Sequence, residues 1–166
     1  MTLWVVGMMG TGKTTTGAMA ANLLGVGFVD SDHEVEADAG LTIHDLWVAD
    51  GEDRFRELER QVITRLRGMR SIVATGGGVV LDPDNRRDMS QSGPVVWLKA
   101  SPDVIASRLG EGSRPLLAGP GDLTATIVNL LEQREGLYAM VATHVVDTDN
   151  RDISWVSEEI AARWTD

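Results

Sequence analysis

One short segment near the start of the chain limits its fold more than any other. Residues 7–15 read GMMGTGKTT and match the pattern G-x-x-x-x-G-K-[ST] in full, at Gly7, Gly12, Lys13 and Thr14. Glycines let the backbone wrap so that its N–H groups point at phosphate oxygens, and a following helix adds the positive end of its dipole. The segment therefore predicts a phosphate-binding loop between a strand and a helix, in an α/β domain of the P-loop NTPase fold.

The side chains of this loop match the chemistry of a nucleoside triphosphate. Lys13 offers a positive charge to the outer phosphates, and Thr14 offers a hydroxyl to Mg²⁺. The residues expected to contact ATP here are Gly10, Thr11, Gly12, Lys13, Thr14 and Thr15. The motif indicates a triphosphate site, but it does not by itself name a reaction.

Five short apolar runs predict a parallel sheet. Most are continuous rather than alternating, which is typical of strands buried on both faces. Helical patterns separate the runs, and this alternation favours helices on both sides of the sheet. The predicted strands are Leu3–Val6, Gly27–Val29, Ile72–Ala74, Val95–Leu98 and His144–Val146. The predicted helices run from the phosphate loop to about Leu24, over residues 42–67, and over Pro102–Leu109, Leu123–Val141 and Ile153–Trp164.

Composition predicts one globular domain, residues 1–166, and excludes several kinds of partner. The chain is 43% hydrophobic, which suits one core of this size. Its net charge of -10 argues against nucleic acid or an anionic membrane surface, because both need a basic face. The sequence contains no cysteine and no apolar run of membrane length. Its first residues lack a basic start followed by a long apolar stretch, so we expect no signal peptide. We therefore expect a cytoplasmic protein that binds neither nucleic acid nor membrane.

Two carboxylates follow the second predicted strand. Asp30 and Asp32 are two residues apart in the segment FVDSDHE, so both leave the strand on one side. In open α/β sheets, ligands bind at this carboxyl end of the strands. One carboxylate could hold the water shell of Mg²⁺ while the other accepts a hydroxyl proton. A solvated turn from strand to helix, with Asp30 or Ser31 as the N-cap, is the alternative.

Further candidates lie in the middle of the chain. Arg56 and Glu59 fall on one helix face at spacing i, i+3, where a carboxylate can orient a guanidinium, although a surface ion pair has the same spacing. Gly76–Gly78 follow a strand and allow close approach of the backbone to a ligand, or simply a tight turn. Residues 110–122 are rich in glycine and proline and suggest a lid or a plain loop.

The type of P-loop protein can be narrowed from absent elements. A GTPase would need the guanine-reading pattern Asn-Lys-x-Asp, which this sequence lacks. An adenylate-kinase-type enzyme usually has a larger lid than residues 110–122 and more arginines for a second nucleotide, so this class is disfavoured as well. A small-molecule kinase and a nucleotide-dependent switch without chemistry remain.

These motifs together resemble the shikimate kinase family. The resemblance extends from the first strand to about Asp147 and rests on the phosphate loop, Asp30 and Asp32, Arg56, the three glycines, Arg114 in RPLL and Arg134 in QREGLY. It implies a five-stranded parallel sheet of order 2-3-1-4-5, a substrate-binding helical segment at about 32–60 and a lid at about 110–122. It also implies transfer of the γ-phosphoryl group of ATP to the 3-hydroxyl of shikimate, on the route to chorismate and aromatic amino acids.

The resemblance also implies a role for each matching residue. Lys13, Asp32 and Arg114 would be catalytic, with Asp32 as the candidate base and Asp30 near Mg²⁺ through a water. Arg56 and Arg134, with the backbone of Gly77 and Gly78, would hold the shikimate carboxylate. Gly76 would also belong to the substrate site, and Glu59 would orient Arg56. Arg108 would lie against the adenine, and Arg114 would reach both substrates from the lid. The family precedent implies a monomer.

Two positions depart from the family pattern. Trp47 stands where the family usually has a phenylalanine lining the ring pocket. Many relatives have a proline near the position of Ile153, and the segment DTDNRDIS has none, which leaves the adenine contact open.

Two alternatives to a shikimate kinase function remain. They are a gluconate-type kinase of the same fold and a nucleotide-binding regulator without catalysis.

Overall fold

A computed structural model describes residues 1–109 and 122–165 of the chain. The predicted lid, apart from Asp122, and the predicted catalytic residue Arg114 lie outside these residues. Five strands are formed by β1 (Thr2–Val6), β2 (Gly27–Asp30), β3 (Ser71–Ala74), β4 (Val95–Lys99) and β5 (His144–Asp147). Seven α-helices occur in the described part, namely α1 (Lys13–Leu24), α2 (Ser31–Ala39), α3 (Ile43–Leu66), α4 (Pro83–Ser92), α5 (Pro102–Leu109), α6 (Leu123–Val141) and α7 (Ile153–Ala161).

The strands form one parallel sheet in the order β2-β3-β1-β4-β5, which confirms the predicted fold. The central strand β1 pairs with β3 on one side and β4 on the other, so that Trp4 lies between Val73 and Val95. After α1 the chain moves to the outer strand β2, and after β3 it crosses to the opposite side of β1. The carboxyl ends of β1 and β3 therefore flank a switch in strand order, where ligands of open α/β sheets bind.

The central strand is buried on both faces, as its continuous apolar pattern predicts. Trp4 and Val6 belong to a core cluster with side chains of α3, α4 and α6, whereas Leu3 and Val5 pack with α1 and α7 on the other face. All four side chains are inaccessible to solvent. At the polar edge of the Trp4 ring, the indole N–H donates to the Ser92 hydroxyl at 2.9 Å. A two-sided core of this kind holds the loops at the carboxyl edge in place.

Two helices, α2 and α4, lack a clear apolar pattern, although a helix start at Asp30 was the alternative for the segment after β2. Asp30 caps α2 by accepting a hydrogen bond from the Asp32 amide, and Asp82 caps α4 ahead of Pro83 at its first turn. Both helices are too polar to show a clear apolar period. The long helix α3 is interrupted at Gly51, whose φ of 82° lies outside the helical region. A short 3₁₀ helix, Val79–Leu81, leads from the glycine segment to α4.

Within residues 1–109 and 122–165, no helix combines the length and apolar character needed to cross a bilayer.

Candidate active site

The phosphate loop lies between the carboxyl end of β1 and the start of α1. Gly10 and Gly12 have φ values of 76° and 90°, a left-handed conformation that side-chain-bearing residues rarely adopt. A Cβ atom on Gly7 would lie 2.4 Å from the Leu98 carbonyl oxygen of the adjacent strand. The loop therefore requires glycine both for its turn and for its close packing. It also places the amino terminus of α1 at the carboxyl edge of the sheet, where a bound anion would meet the positive end of the helix dipole.

Lys13 is buried at the base of this loop. Its ammonium donates to the Met8 carbonyl at 2.8 Å, and only 9% of the residue is exposed. Burial lowers the pKa of Lys13 to about 8, although the nearby carboxylates of Asp32 and Asp30 act in the opposite direction. The ammonium group of Lys13 therefore lies close to the carboxylates of Asp30 and Asp32, where the phosphate oxygens of a nucleotide would bind.

Asp30 joins the phosphate loop to the second strand. The Thr14 hydroxyl donates to Asp30 Oδ2 at 2.6 Å, while Asp30 Oδ1 accepts from the Asp32 amide at 3.0 Å. Among residues 1–109 and 122–165 there is no group of three or more histidine, cysteine, aspartate or glutamate side chains that could hold a metal ion. A single hydroxyl and one carboxylate nevertheless fit Mg²⁺ bound to a nucleotide, because that ion keeps most of its ligands as waters and phosphates.

Asp32 presents a buried oxygen that lacks a donor. Its Oδ1 atom has no hydrogen-bond partner in the described part of the chain. Burial, with a contribution from the charge of Asp30, raises the pKa of Asp32 to about 6, and Lys13 partly offsets this. A Cβ atom on Gly76 would lie 2.5 Å from this oxygen, so the glycine makes room for it. The arrangement suits a carboxylate that accepts a hydrogen bond from a substrate hydroxyl.

Arg56 is held by two carboxylates of α3. Its Nη1 donates to Glu59 Oε2 at 2.9 Å, and Nε and Nη2 approach Glu52 Oε1 at 3.3 and 3.1 Å. Glu59 is almost completely buried, and this burial raises its pKa to about 7 in spite of the Arg56 charge. The guanidinium also lies against Gly78, where a Cβ atom would be 2.6 Å from both terminal nitrogens. The predicted pair of Arg56 and Glu59 therefore faces the glycine segment.

The three glycines lie between α2, α3 and α6. The Gly76 amide donates to the Ser31 hydroxyl at 3.2 Å. A Cβ atom on Gly77 would lie 3.4 Å from the Met9 amide nitrogen and 3.7 Å from Arg134 Nη1. The segment thus brings the phosphate loop close to Arg134, and Arg134 Nε has no hydrogen-bond partner among the described residues.

Tyr138 is a residue of this site that sequence reasoning missed. Its hydroxyl donates a short hydrogen bond to the Gly77 carbonyl, and its ring stacks on Trp97 with centroids 5.7 Å apart. Burial raises the pKa of Tyr138 to about 12, and Arg134 acts in the opposite direction. One signal was available, because Tyr138 follows Arg134 by four residues and so lies on the same helix face.

Trp47 lies close to Arg56, with the ring of Phe55 between them. Its ring lies 5.7 Å from that of Phe55, at an angle of 47°, and Phe55 in turn lies 5.0 Å from the Arg56 guanidinium. The indole nitrogen of Trp47 is buried without a hydrogen-bond partner among the described residues. Its contact with a substrate ring stays a prediction.

A cavity of about 650 Å³ adjoins the phosphate loop and the start of α1. Arg108 lines it and is fixed by two hydrogen bonds to Thr148, from Nη1 to the hydroxyl at 2.9 Å and from Nη2 to the carbonyl at 2.8 Å. Ile153, where many relatives have a proline nearby, is 52% exposed at the wall of this cavity. The space adjoins Thr15 and is wide enough for a nucleotide base and ribose.

Structures of the same fold include kinases with different acceptors. A gluconokinase from Sinorhizobium meliloti superimposes with a TM-score of 0.61 over 97% of this chain and 89% of its own, at 21% identity. At that level of identity the likeness concerns the fold alone.

A more specific likeness covers nearly the whole chain. The family model for shikimate kinase matches residues 9–165. A shikimate kinase from Symbiobacterium thermophilum is 42% identical over 164 residues, which span 96% of this chain and 94% of that relative. The structure of shikimate kinase from Acinetobacter baumannii in complex with shikimate has a TM-score of 0.90 and 35% identity, covering 96% of this chain and 89% of its own. The chain therefore belongs to the shikimate kinase family.

Proposed function

We propose that this chain transfers the γ-phosphoryl group of ATP to the 3-hydroxyl of shikimate, giving shikimate 3-phosphate and ADP. The observation that carries the proposal is the unpartnered buried oxygen of Asp32, which lies between the phosphate loop and a glycine segment flanked by two arginines. A nucleotide site, a hydroxyl acceptor and a carboxylate clamp are the three parts that such a transfer needs. The family resemblance over almost the full length supports the same acceptor.

In the proposed reaction, the hydroxyl oxygen of shikimate forms a bond to the γ-phosphorus, and the bond from that phosphorus to the β,γ-bridging oxygen breaks. Asp32 orients the hydroxyl and accepts its proton, while Lys13 stabilises charge on the phosphoryl oxygens and on the departing ADP. Because the transition state is loose, positioning contributes as much as proton transfer. We further propose that Arg114, outside the described residues, reaches the phosphates and the substrate.

The remaining residues would bind and orient the two substrates. Arg56 and Arg134, with the backbone of Gly76–Gly78, would bind the shikimate carboxylate, since a guanidinium matches a carboxylate with two parallel hydrogen bonds. Trp47 would line the ring pocket. Arg108 would lie against the adenine, with the loop residues Gly10–Thr15 around the phosphates.

Mg²⁺ would be held by the Thr14 hydroxyl and, through a water, by Asp30, in agreement with the contact between these two side chains. When bound, the ion would neutralise charge on the β- and γ-phosphates. Monomeric state and cytoplasmic location stay predictions.

A coupled assay of ADP release tests the proposed function directly. We expect MgATP turnover with shikimate, little with gluconate and little without an acceptor. Turnover with gluconate alone would replace shikimate by a linear polyol acid as the substrate. Nucleotide binding without turnover in any mixture would identify the protein as a nucleotide-dependent regulator.

The raised pKa of Asp32 predicts the acid side of the pH profile. Asp32 accepts a proton only as a carboxylate, so kcat/KM for shikimate should rise with pH as Asp32 ionises and level off above its pKa, which is about 6 in the ligand-free protein. The charge of Asp30 contributes to the raised pKa, so in Asp30→Asn this limb should move to lower pH. A limb that stays in place would assign the titration to another group.

Gly78→Ala tests whether Arg56 needs its present position. The added methyl group would lie 2.6 Å from both terminal guanidinium nitrogens, and because these end a flexible side chain, the arginine can move without unfolding the protein. We expect the KM for shikimate to rise about 10- to 100-fold, the value of a lost charged hydrogen bond, with little change in the KM for ATP.

Gly136→Ala is a matched control for that variant. Gly136 lies in α6, and a Cβ atom there would have no heavy atom within 4 Å. Because alanine favours the helix, this variant should be about 0.5–1 kcal/mol more stable and keep normal kinetics. An unchanged KM for shikimate in Gly78→Ala would contradict the proposed role of Arg56.

A further inference from the structure

Tyr138 connects two parts of the proposed acceptor site that come from distant parts of the sequence. Its hydroxyl donates to the carbonyl oxygen of Gly77, 61 residues earlier in the chain. One turn before it on the same face of α6 stands Arg134, whose Nη1 lies 3.7 Å from the position of a Cβ atom on Gly77. Tyr138 and Arg134 therefore approach the same glycine from one helix.

The hydrogen bond to Gly77 also sets the direction of the next amide group. In a trans peptide the carbonyl oxygen of one residue and the N–H of the next lie in one plane and point in opposite directions. A Gly77 carbonyl held towards Tyr138 therefore directs the Gly78 N–H away from it. Gly78 is the residue against which the Arg56 guanidinium packs.

The glycine segment is also held at its other end, and both anchoring side chains are buried. Gly76 donates its amide hydrogen to the Ser31 hydroxyl, at 3.2 Å, and Ser31 is completely buried. Tyr138 is completely buried as well, and its ring stacks on Trp97 at an angle of 25°. Burial raises the pKa of Tyr138 to about 12, so the phenol remains a donor throughout the working pH range.

We propose that Tyr138 is a positioning residue for the acceptor substrate. By holding the Gly77 carbonyl, it fixes the Gly78 amide beside Arg56, with Arg134 next to Gly77, so that the substrate carboxylate meets donors already in place. The inference rests on the proposed function, since it concerns the same carboxylate. Without that hydrogen bond a segment of three glycines has many backbone conformations, and substrate binding would have to order it.

Tyr138→Phe tests the proposal, because it removes the hydroxyl and leaves a ring that can stack on Trp97. We expect the KM for shikimate to rise about three- to tenfold, while kcat and the KM for ATP stay within about twofold of the wild-type values. Thr2→Val is the matched control. The Thr2 hydroxyl is also a buried donor to backbone carbonyls, those of Leu66 and Met69, but it lies at the amino end of β1.

A comparison of the two variants separates a role of Tyr138 in positioning the substrate from a role in protein stability alone. Both variants should lose thermal stability, and only Tyr138→Phe should lose apparent affinity for shikimate. A KM for shikimate equal to that of Thr2→Val, or equal losses in the KM for both substrates, would overturn the proposal. A wild-type protein without shikimate-dependent ADP release would instead overturn the proposed function itself.

A second measurement avoids any folding defect. Tyr138 is the only tyrosine of the chain, so biosynthetic incorporation of 3-fluorotyrosine labels this side chain alone and keeps its hydroxyl. Titration with shikimate should move the single ¹⁹F resonance, with a midpoint equal to the dissociation constant, because carboxylate binding at the Gly78 amide polarises the same peptide group. A resonance that does not move at saturating shikimate would also overturn the proposal.

Discussion

Asp32→Asn is expected to lower kcat with shikimate by about 10²- to 10⁴-fold, the contribution of a positioned general base. The amide has nearly the shape of the carboxylate but cannot take the hydroxyl proton. Its NH₂ group would also present donors where the substrate hydroxyl must donate. Binding of MgATP, measured by calorimetry, should change little, because the proposed phosphate contacts are made by the loop and by Lys13.

The ligand-free Asp32→Asn protein should also lose a pH dependence. A carboxyl group whose pKa rises to about 6 on folding binds its proton more tightly in the native state, so its contribution to stability falls as pH rises from about 4 to 6. Asp38→Asn is the control, since Asp38 lies on the same helix and pairs with Arg65 at 2.6 Å near the surface. Its kcat should stay within about twofold of the wild-type value. Equal kcat losses in the two variants would remove Asp32 from its proposed role.

Lys13→Met is expected to lower kcat by about 10²- to 10³-fold. This is the usual effect of removing one positioned group that stabilises negative charge in the transition state. Methionine fills a similar volume but leaves the phosphoryl oxygens without that cation. Coupled ADP release at saturating shikimate measures the effect. Retention of more than about a tenth of the activity would contradict the role given to Lys13.

The stability of Lys13→Met should respond in the opposite direction to its activity. Burial lowers the pKa of Lys13 to about 8, so the charged side chain destabilises the ligand-free fold at neutral pH. The unfolded chain binds more protons between pH 8 and about 10.5, so wild-type stability should rise with pH in that interval and the rise should be absent in the variant. The melting temperature of Lys13→Met at pH 7 should equal or exceed that of the wild type. A lower value would mean that the hydrogen bond to the Met8 carbonyl outweighs the cost of burial.

Local sequence patterns predicted the strands and helices whose burial leaves a clear apolar pattern along the chain. The runs that became β1 and β4 are apolar throughout because both faces of these strands are covered. Of the polar helices, α4 was not predicted, and α2 was indicated only by the alternative in which Asp30 caps a helix. They depend on the capping residues Asp30 and Asp82, and an aspartate before a polar segment is equally typical of a turn.

The sequence by itself determined the nucleotide half of the site. In residues 7–15 the glycines, the lysine and the threonine are contiguous, so their spacing already specifies a loop that binds phosphates. For the proposed acceptor half, the family resemblance named Arg56, Arg134 and Gly76–Gly78, but their assembly and the contact of Tyr138 were decided by the tertiary structure. Arg56, Gly78 and Tyr138 come from α3, the turn after β3 and α6, and only sheet order and helix packing bring them together. A phenol that binds a carbonyl 61 residues away leaves no periodic trace in the sequence, because that contact depends on packing across the core rather than on spacing along the chain.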